Sequence, residues 1–377
     1  MMNSRLTLVF QSSLRHAIVA IGLLFCCTWP SIVKADTDSI CIQTFNAYGP
    51  AYSRDLEKRT VVVGEELSAS PCDIVQMQEV WSDTHHNWMI DALAESMFSL
   101  SSVRFDNFQR PQIGQSGLAT FTTEILSSQS FVPFQVNTDG LMDNVRELLG
   151  VIKGIGSSMI TIRQNEDQKL RLMNVHLHPT SQRVRIAQVV QLLEAFFKYY
   201  PSKDPLVITG DFNFQPASTE YNLLQSVTRL TDAYVATNGP YDTDTCTYCE
   251  SNVHHWPGHR GVLDYIWSRR GQNHAVTHRK TFVNLYGLNG VTPSDHFGLR
   301  SLVHLIVSSV EFVDPKTFDD RRQDALTATY AAVRALDAQG AAYEPFYSTR
   351  HYLLKLAERL GQDIGSSDPV ISNLTIR

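Results

Sequence analysis

Short runs of alternating apolar and polar residues recur along this chain, separated by stretches with helical spacing. Ser39-Ile-Cys-Ile-Gln-Thr-Phe45 reads as a strand and Asp73-Ile-Val-Gln-Met-Gln78 as a second. Between them Leu56, Val63 and Leu67 share one face of a helix over 53–70, and another helix is expected over 83–97. Leu118-Ala-Thr-Phe121 is a short strand. Met159–Ile162 and Leu170–Leu177 predict a hairpin joined through the polar Gln164–Gln168. A helix over 181–199 leads to Leu206-Val-Ile-Thr209, apolar enough for a buried strand. Further strands are expected near Leu263–Trp267, Thr281–Leu285 and Leu299–Ile306. Hairpins interleaved with helices depart from strict βαβ alternation and fit two sheets packed face to face with helices outside.

Beyond residue 310 the pattern changes. Asp324–Gln339 and Thr349–Leu360 predict two amphipathic helices around a break that begins at Gly340 and contains Pro345. Both are too short and too polar to span a bilayer, and a helical hairpin packed on the main domain is the expectation.

The N-terminus has another character. Arg5 and Arg15 precede the apolar run Ala17–Phe25, and Val33-Lys34-Ala35 places small residues where a signal peptidase cleaves. Residues 1–35 are therefore expected to be a signal peptide, cut before Asp36, and the protein to be secreted or periplasmic. Cleavage would remove three basic residues and no acid, taking the formal charge from −6 to −9. An acidic surface argues against a long nucleic acid as partner, because lysines and arginines must displace its counterions. With 43% hydrophobic and 19% charged residues the composition is that of a globular protein, which excludes a disordered or low-complexity chain. Cys41, Cys72, Cys246 and Cys249 would remain in the mature chain. Export favours disulfides, with Cys41 and Cys72 expected side by side at one sheet edge and Cys246–Cys249 closing a tight loop. The rival for the second pair is a zinc site with His254, His255 or His259.

Against this frame six segments carry chemistry: Phe45-Asn46, Gln78-Glu79-Val80-Trp81, Asn174-Val-His176-Leu-His178, Gly210-Asp211-Phe212-Asn213, Leu263-Asp264-Tyr265 and Ser294-Asp295-His296. Singly, each is what a turn or a surface group looks like. Together they place hard oxygen ligands suited to Mg²⁺ beside histidines able to move protons near neutral pH. That is the equipment of metal-assisted phosphodiester hydrolysis.

In this order the set resembles the endonuclease/exonuclease/phosphatase superfamily over roughly residues 39–307. It implies a deoxyribonuclease-I-like four-layer α/β/β/α sandwich over 36–310, with 311–377 as a C-terminal helical extension. Carried over residue by residue, the likeness implies Glu79 as metal ligand with Asn46 in support. Mg²⁺ is the implied ion, with Mn²⁺ or Ca²⁺ as alternatives. Asp211 would orient the attacking water, and Asn213 and His176 would hold the phosphate. His296 would be the general base, held in its tautomer by Asp264 with Asp295 alongside.

Within the superfamily, Glu79-Val-Trp-Ser-Asp83, Gly114-Gln-Ser-Gly-Leu-Ala119, Lys153-Gly154 and Val175-His-Leu-His178 followed by Arg185 and Gln188 are similar to neutral sphingomyelinases. That likeness implies hydrolysis of sphingomyelin to ceramide and phosphocholine, with a phospholipid at a membrane surface as partner. Lys153 would lie near the substrate phosphate. Trp81, with Tyr48 and Trp256, offers an aromatic face to the quaternary ammonium of choline. His178 reads equally as a supporting or a surface histidine. Phe131, Phe134, Leu141 and Met142 form an apolar stretch that could meet a membrane or be buried. A secreted deoxyribonuclease-I-like endonuclease is the alternative, with Arg183, Arg185, Arg260, Arg269 and Arg270 as its basic groove. An inositol-phosphate phosphatase and a non-enzymatic binding module on the same fold are more distant readings.

Overall fold

The computed structural model describes residues 39–50, 53–97, 99–106, 115–138, 153–199, 202–307, 318–338 and 344–361. The expected signal segment, Gly114, Leu141 and Met142 lie outside these residues.

Twelve strands among the described residues build two six-stranded sheets. The first runs β11(His274–Asn284), β12(Gly298–Val307), β1(Ser39–Asn46), β2(Ile74–Gln78), β4(Gln115–Thr122), β3(Ser101–Asp106). The second runs β5(Ile125–Pro133), β6(Gly154–Ile162), β7(Asn165–His176), β8(Leu206–Asp211), β10(Asp264–Arg269), β9(Thr231–Asp232). On the first sheet α1(Leu56–Ala69) and α2(Asp83–Ala94) bury Val63, Leu67, Met89 and Leu93 against Phe45, Val75, Met77 and Phe121. On the second, α3(Gln182–Tyr199) and α4(Thr219–Thr228) pack with the final helices α6(Phe318–Ala338) and α7(Glu344–Gly361) into one apolar cluster. The short α5(Ala233–Asn238) follows β9. This is the four-layer α/β/β/α sandwich with additional C-terminal helices.

Between the sheets the packing is mixed. Ile42, Ile74, Ile160, Leu172, Val207 and Leu299 supply an apolar region. Beside it runs a fully buried polar seam. Gln78 Nε2 donates to Asn174 Oδ1 (2.7 Å), Asn174 Nδ2 donates to the carbonyls of Met77 (2.9 Å) and Ala119 (3.0 Å), and Thr209 Oγ1 donates to Gln76 Oε1 (2.7 Å). Oil alone would let two sheets slide; directional bonds in a low-dielectric interior fix their relative register. Asn174 therefore serves the seam, and the strand ends beyond it arrive at one rim in a set relation.

Several expectations change in detail. Strand β7 begins at Asn165, so the hairpin turns at Arg163-Gln164 and the polar residues after it extend the ladder with exposed side chains. Cys41 and Cys72 are disulfide-bonded, but between the neighbouring parallel strands β1 and β2 in the middle of the sheet, not at an edge. Pro345 is the second residue of α7 rather than part of the break, a first-turn position where no helical N–H is required of it. Phe134 is buried in the main core, and Phe131, in β5, packs against Val103, Phe105 and Leu118. Phe134 thus takes the buried alternative, while Phe131 is half-buried in its cluster. Among the described residues no helix is long and apolar enough to cross a membrane.

Candidate active site

Strand register gathers the site. Parallel β1 and β2 pair Asn46 with Gln78, which brings Asn46 beside Glu79. Parallel β7 and β8 pair His176 with Asp211, and antiparallel β10 pairs Asp264 with the same Asp211. Asp211 thus has His176 on one flank and Asp264 on the other before any side chain is considered. The loop ahead of β12 delivers Asp295 and His296. Ser294 anchors that loop by donating Oγ–H to the carbonyl of Asn46 (2.6 Å) and accepting the N–H of His296 (3.1 Å).

The backbone at these ends is held off its relaxed conformations. Tyr48, Glu79 and Asn213 have φ of 45°, 61° and 51°. A left-handed conformation disfavours L-residues and persists where surroundings over-determine it. Here those surroundings are visible. The N–H of Val80 donates to the carbonyl of Gly117, the N–H of Ala47 to that of Gln78, and the N–H of Asn213 to Asp211 Oδ1 (3.0 Å).

At the centre His296 Nδ1 lies 2.8 Å from Asp264 Oδ2, both groups being buried. A carboxylate can only accept, so Nδ1 carries the hydrogen and the other ring nitrogen, Nε2, is turned to Asp211 Oδ2 at 3.7 Å. His176 Nε2 stands 3.4 Å from Asp211 Oδ2 and 3.9 Å from Glu79 Oε1. Asn46 Nδ2 donates to Asp211 Oδ2 (3.0 Å) and Glu79 Oε1 (3.3 Å), while its oxygen accepts the N–H of Tyr48 (2.9 Å). As placed, Asn46 supports the acids by orienting them rather than by offering its own oxygen.

Burial makes this collection of charges tense. It raises Asp211 to about 6, with Asp264 adding to the rise and His296 and Lys153 opposing it. It raises Asp295 to about 6 as well, with Glu79 adding and His296 opposing. Glu79 is raised by burial and relieved by Lys153 and Asn46. His176 is pushed well below its ordinary value by burial and then by Lys153, and is neutral. Burial also works against protonated His296, yet Asp264, Asp211 and Asp295 together lift it well above its ordinary value. A pocket crowded with buried carboxylates is one a divalent cation would relieve. Asp211, Asp264 and His296 bring ligand atoms within 4.8 Å of one another and can hold such an ion. Asp264 Oδ1 is buried with no hydrogen-bond partner, which fits the same need. Glu79 presents a further oxygen set across Asp211.

The remaining expected residues fall as follows. Lys153 Nζ donates to the carbonyl of Leu177 (2.6 Å), the same oxygen that accepts Asn213 Nδ2 (3.1 Å). The Trp81 ring lies beside the His176 ring, centroids 6.3 Å apart. It rests on Gly117, where a Cβ would meet the indole at 2.6 Å. His178 is buried and caps the start of α3, its Nδ1 accepting the N–H groups of Thr180 and Ser181. Arg185 is structural, bonded to Glu220 (2.9 Å) and to the carbonyls of His178 and Pro179. Cys246 and Cys249 form a disulfide, which removes the zinc alternative because both sulfurs are used.

Sequence reasoning missed Arg59. This residue of α1 is 2% exposed and donates to the carbonyls of Pro293 (2.7 Å), Tyr48 (2.8 Å) and Ala47 (3.3 Å), and to Ser53 Oγ. It ties the loop after β1 to the one carrying Asp295. One arginine in an amphipathic helix reads as a solvated face, so no sequence signal marks it.

Residues 44–296 match the family described as endonuclease/exonuclease/phosphatase. The match spans most of the chain, and the protein belongs to that family. The architecture is shared with solved structures of low sequence identity. A mannosyl-6-phosphatase of Bacteroides thetaiotaomicron VPI-5482 aligns with a TM-score of 0.55 at 15% identity, over 71% of this chain and 99% of that one. TDP2 of D. rerio, complexed with a single strand DNA product, gives 0.55 at 16% identity, over 71% and 99%. The human Nocturnin catalytic domain gives 0.52 at 20%, over 71% and 95%. No curated protein matches the sequence significantly. These neighbours differ in what their names say they act on, and the likeness is one of fold. Family membership and the acid–histidine cluster support a metal-dependent phosphodiesterase.

Proposed function

We propose that this protein is a secreted, Mg²⁺-dependent phosphodiesterase that hydrolyses sphingomyelin to ceramide and phosphocholine at a membrane surface. The observation that carries the reading is the convergence of Lys153 and Asn213 on the carbonyl of Leu177, next to neutral His176. Lys153, just before β6, and Asn213, just after β8, meet at the carbonyl of the residue that follows His176, so three side chains able to donate to phosphate oxygens come from neighbouring strand ends. In this reading a cation on the acids would offset the charges that keep His296 protonated, so that its Nε2 can take the proton of a water that Asp211 orients while Asp264 keeps Nδ1 as the donor. The water oxygen forms the new bond to phosphorus, the bond to the ceramide oxygen breaks, and that oxygen takes up a proton from solvent. Asn213, His176 and Lys153 hold the phosphate oxygens meanwhile. Of the acid–histidine cluster able to hold an ion, Asp264 and His296 are committed to the proton transfer in this reading, so Glu79 and Asp211 would hold Mg²⁺, with Asp295 nearby and Asn46 orienting the two acids. When bound, the ion supplies charge neutralisation for the phosphate and the departing alkoxide.

Two features favour a choline lipid over a nucleic acid. The indole of Trp81 and the phenol ring of Tyr248 stand beside His176 and His296, where an ammonium could meet an aromatic face. Four of the five arginines that a nuclease groove would need are engaged within the chain. Arg183 stacks on Phe346, Arg185 pairs with Glu220, Arg260 donates to the carbonyl of Asp244 and Arg269 to that of Arg229. Two disulfides suit an oxidising compartment and support export.

The test is phosphocholine release from sphingomyelin vesicles with Mg²⁺, run beside plasmid nicking, with His296→Ala in both. Lipid cleavage that the variant abolishes is the expected result. Nicking without lipid cleavage would move the protein to the nucleases.

A further inference from the structure

The loop between α5 and β10 contains the turn that Cys246 and Cys249 close, and this turn reaches both backbone segments that carry the His296–Asp264 pair. The hydroxyl oxygen of Thr247 accepts the N–H of Leu263 (3.0 Å) and the N–H of Asp264 (3.2 Å). Its carbonyl accepts the N–H of Phe297, the residue after His296, at 2.7 Å. Thr247 is 1% exposed. The turn is locked to the same region from its other side. Thr247 and Tyr248 both donate N–H to the carbonyl of Gly261 (3.0 Å each), and Gly261 returns its N–H to Tyr248 (2.9 Å). The ring of Tyr248 meets the imidazole of His296 edge-on with centroids 5.0 Å apart. Three residues past the disulfide, Asn252 Nδ2 donates to the carbonyl of Ser294 (2.8 Å).

Asp264 and His296 are 32 residues apart, one opening β10 and the other in the loop before β12 of the other sheet, and their side chains meet at 2.8 Å. Such a contact is set by the backbones that carry it, and Thr247 touches both. We propose that Thr247, held in the turn closed by Cys246–Cys249, is a positioning residue that aligns Asp264 and His296. The disulfide keeps it in place, and Tyr248 closes the far side of the imidazole. This rests on the phosphodiesterase reading for its catalytic consequence, though not for its geometry. The effect travels through Asp264 and His296, and Thr247 itself touches no reacting atom.

The experiment uses the full-length protein and its Thr247→Val, Thr247→Ser, Cys246→Ser/Cys249→Ser and His296→Ala variants. The first readout is the downfield proton resonance of the His296 Nδ1–H bond, recorded without metal and identified by its loss in His296→Ala. The second is kcat and KM for bis(4-nitrophenyl) phosphate with Mg²⁺. Valine fills the same space without the acceptor, so Thr247→Val is expected to shift or lose the resonance. It should also lower kcat roughly tenfold or more with little change in KM, as a misplaced catalytic group does. Thr247→Ser restores the acceptor and should recover both readouts. The double serine variant should move in the direction of valine. A Thr247→Val protein with the wild-type resonance and kcat overturns the proposal, as does a serine variant no better than valine. A wild type that cleaves no phosphodiester, with a resonance that still moves in Thr247→Val and returns in Thr247→Ser, supports the positioning role and sinks the phosphodiesterase reading instead.

Discussion

His296 Nδ1 and Asp264 Oδ2 stand 2.8 Å apart, both residues being buried. The imidazole comes from the loop before β12 in one sheet and the carboxylate from the start of β10 in the other. Their bond therefore joins the two sheets at the rim, and it selects which ring nitrogen can act as a base.

Asp264→Asn keeps the shape and removes the charge. The amide can present its nitrogen to the ring, which would favour the tautomer with hydrogen on Nε2 and leave no base toward Asp211. We expect kcat to fall by about 10²–10⁴-fold, the usual worth of general acid–base catalysis, with KM and thermal midpoint nearly unchanged. Steady-state kinetics beside a melt would check this. A variant within a few fold of wild type would separate Asp264 from the chemistry.

Metal and pH should act together on stability. Burial raises Asp211 and Asp295 to about 6 in the metal-free fold, against about 3.9 unfolded. Between those values the folded state binds more protons than the unfolded one. These acids then favour folding at low pH, and that contribution is lost as pH rises through about 6. A bound cation offsets the repulsion most where both are ionised. The shift in thermal midpoint on adding Mg²⁺ should be small at pH 5 and larger at pH 8. Equal shifts at both would deny these acids a share in metal binding.

His278 offers a second titration with the opposite sign. It lies between Ser268 Oγ and Ser301 Oγ, 2.8 Å from each, and burial pushes it down to about 4. The unfolded chain protonates its histidine near 6.5. Between these values the unfolded state binds the extra proton, so stability falls as pH drops from about 6.5 to about 4. The loss from this one group is on the order of 3 kcal/mol. Urea unfolding with Mg²⁺ at pH 7 and pH 5 should show about 2 kcal/mol of it, and His278→Gln should flatten the difference.

Much of this was legible in the sequence, and what was hidden has identifiable causes. Asn46, Glu79, His176, Asp211, Asp264 and His296 end strands or open loops beside alternating apolar runs, so both their element and their direction could be read. Strands β3 and β5 could not. They are edge strands, and Ile125–Pro133 has a largely exposed, serine-bearing face with no inward alternation to reveal it. Phe131 and Phe134 could be read either as a surface patch or as buried because β5, which holds the first and ends just before the second, was unseen. Arg59 and Thr247 act through backbone carbonyls and N–H groups, which every sequence possesses and none displays.

Gly117 was legible as part of a motif, and its reason is spatial. Its φ is +68°, and a Cβ there would lie 2.6 Å from the Trp81 ring. Gly117→Ala adds a left-handed penalty of about 1–2 kcal/mol and must displace the indole. Since that ring lies beside His176, the variant should lose activity as well as stability, and its tryptophan fluorescence should shift. A variant less stable but with wild-type kcat and KM would leave Trp81 a packing residue only.

Arg59 gives the sharpest separation of charge from geometry. Burial lowers its pKa despite the attraction of Asp295, yet as an arginine it remains protonated. Its donors serve four carbonyls, those of Ala47, Tyr48 and Arg54 in the segment following Asn46 and that of Pro293 preceding Asp295. Lysine would retain the charge but not the planar fork that reaches all four. Methionine would keep much of the volume and leave every carbonyl without this donor. Buried acceptors left without partners cost about 1–3 kcal/mol each, partly recovered as the loops relax. We expect Arg59→Met to lose about 2–4 kcal/mol of stability and Arg59→Lys to recover only part of it. Both should also lower kcat below the freezing-out of any unfolded fraction, because the loops that aim Asn46 and Asp295 are then free to separate. Chemical denaturation fixes the first quantity, and activity per folded molecule, measured well below the midpoint, fixes the second. A lysine variant equal to wild type in both would show that only the positive charge near Asp295 matters and that the fork does not.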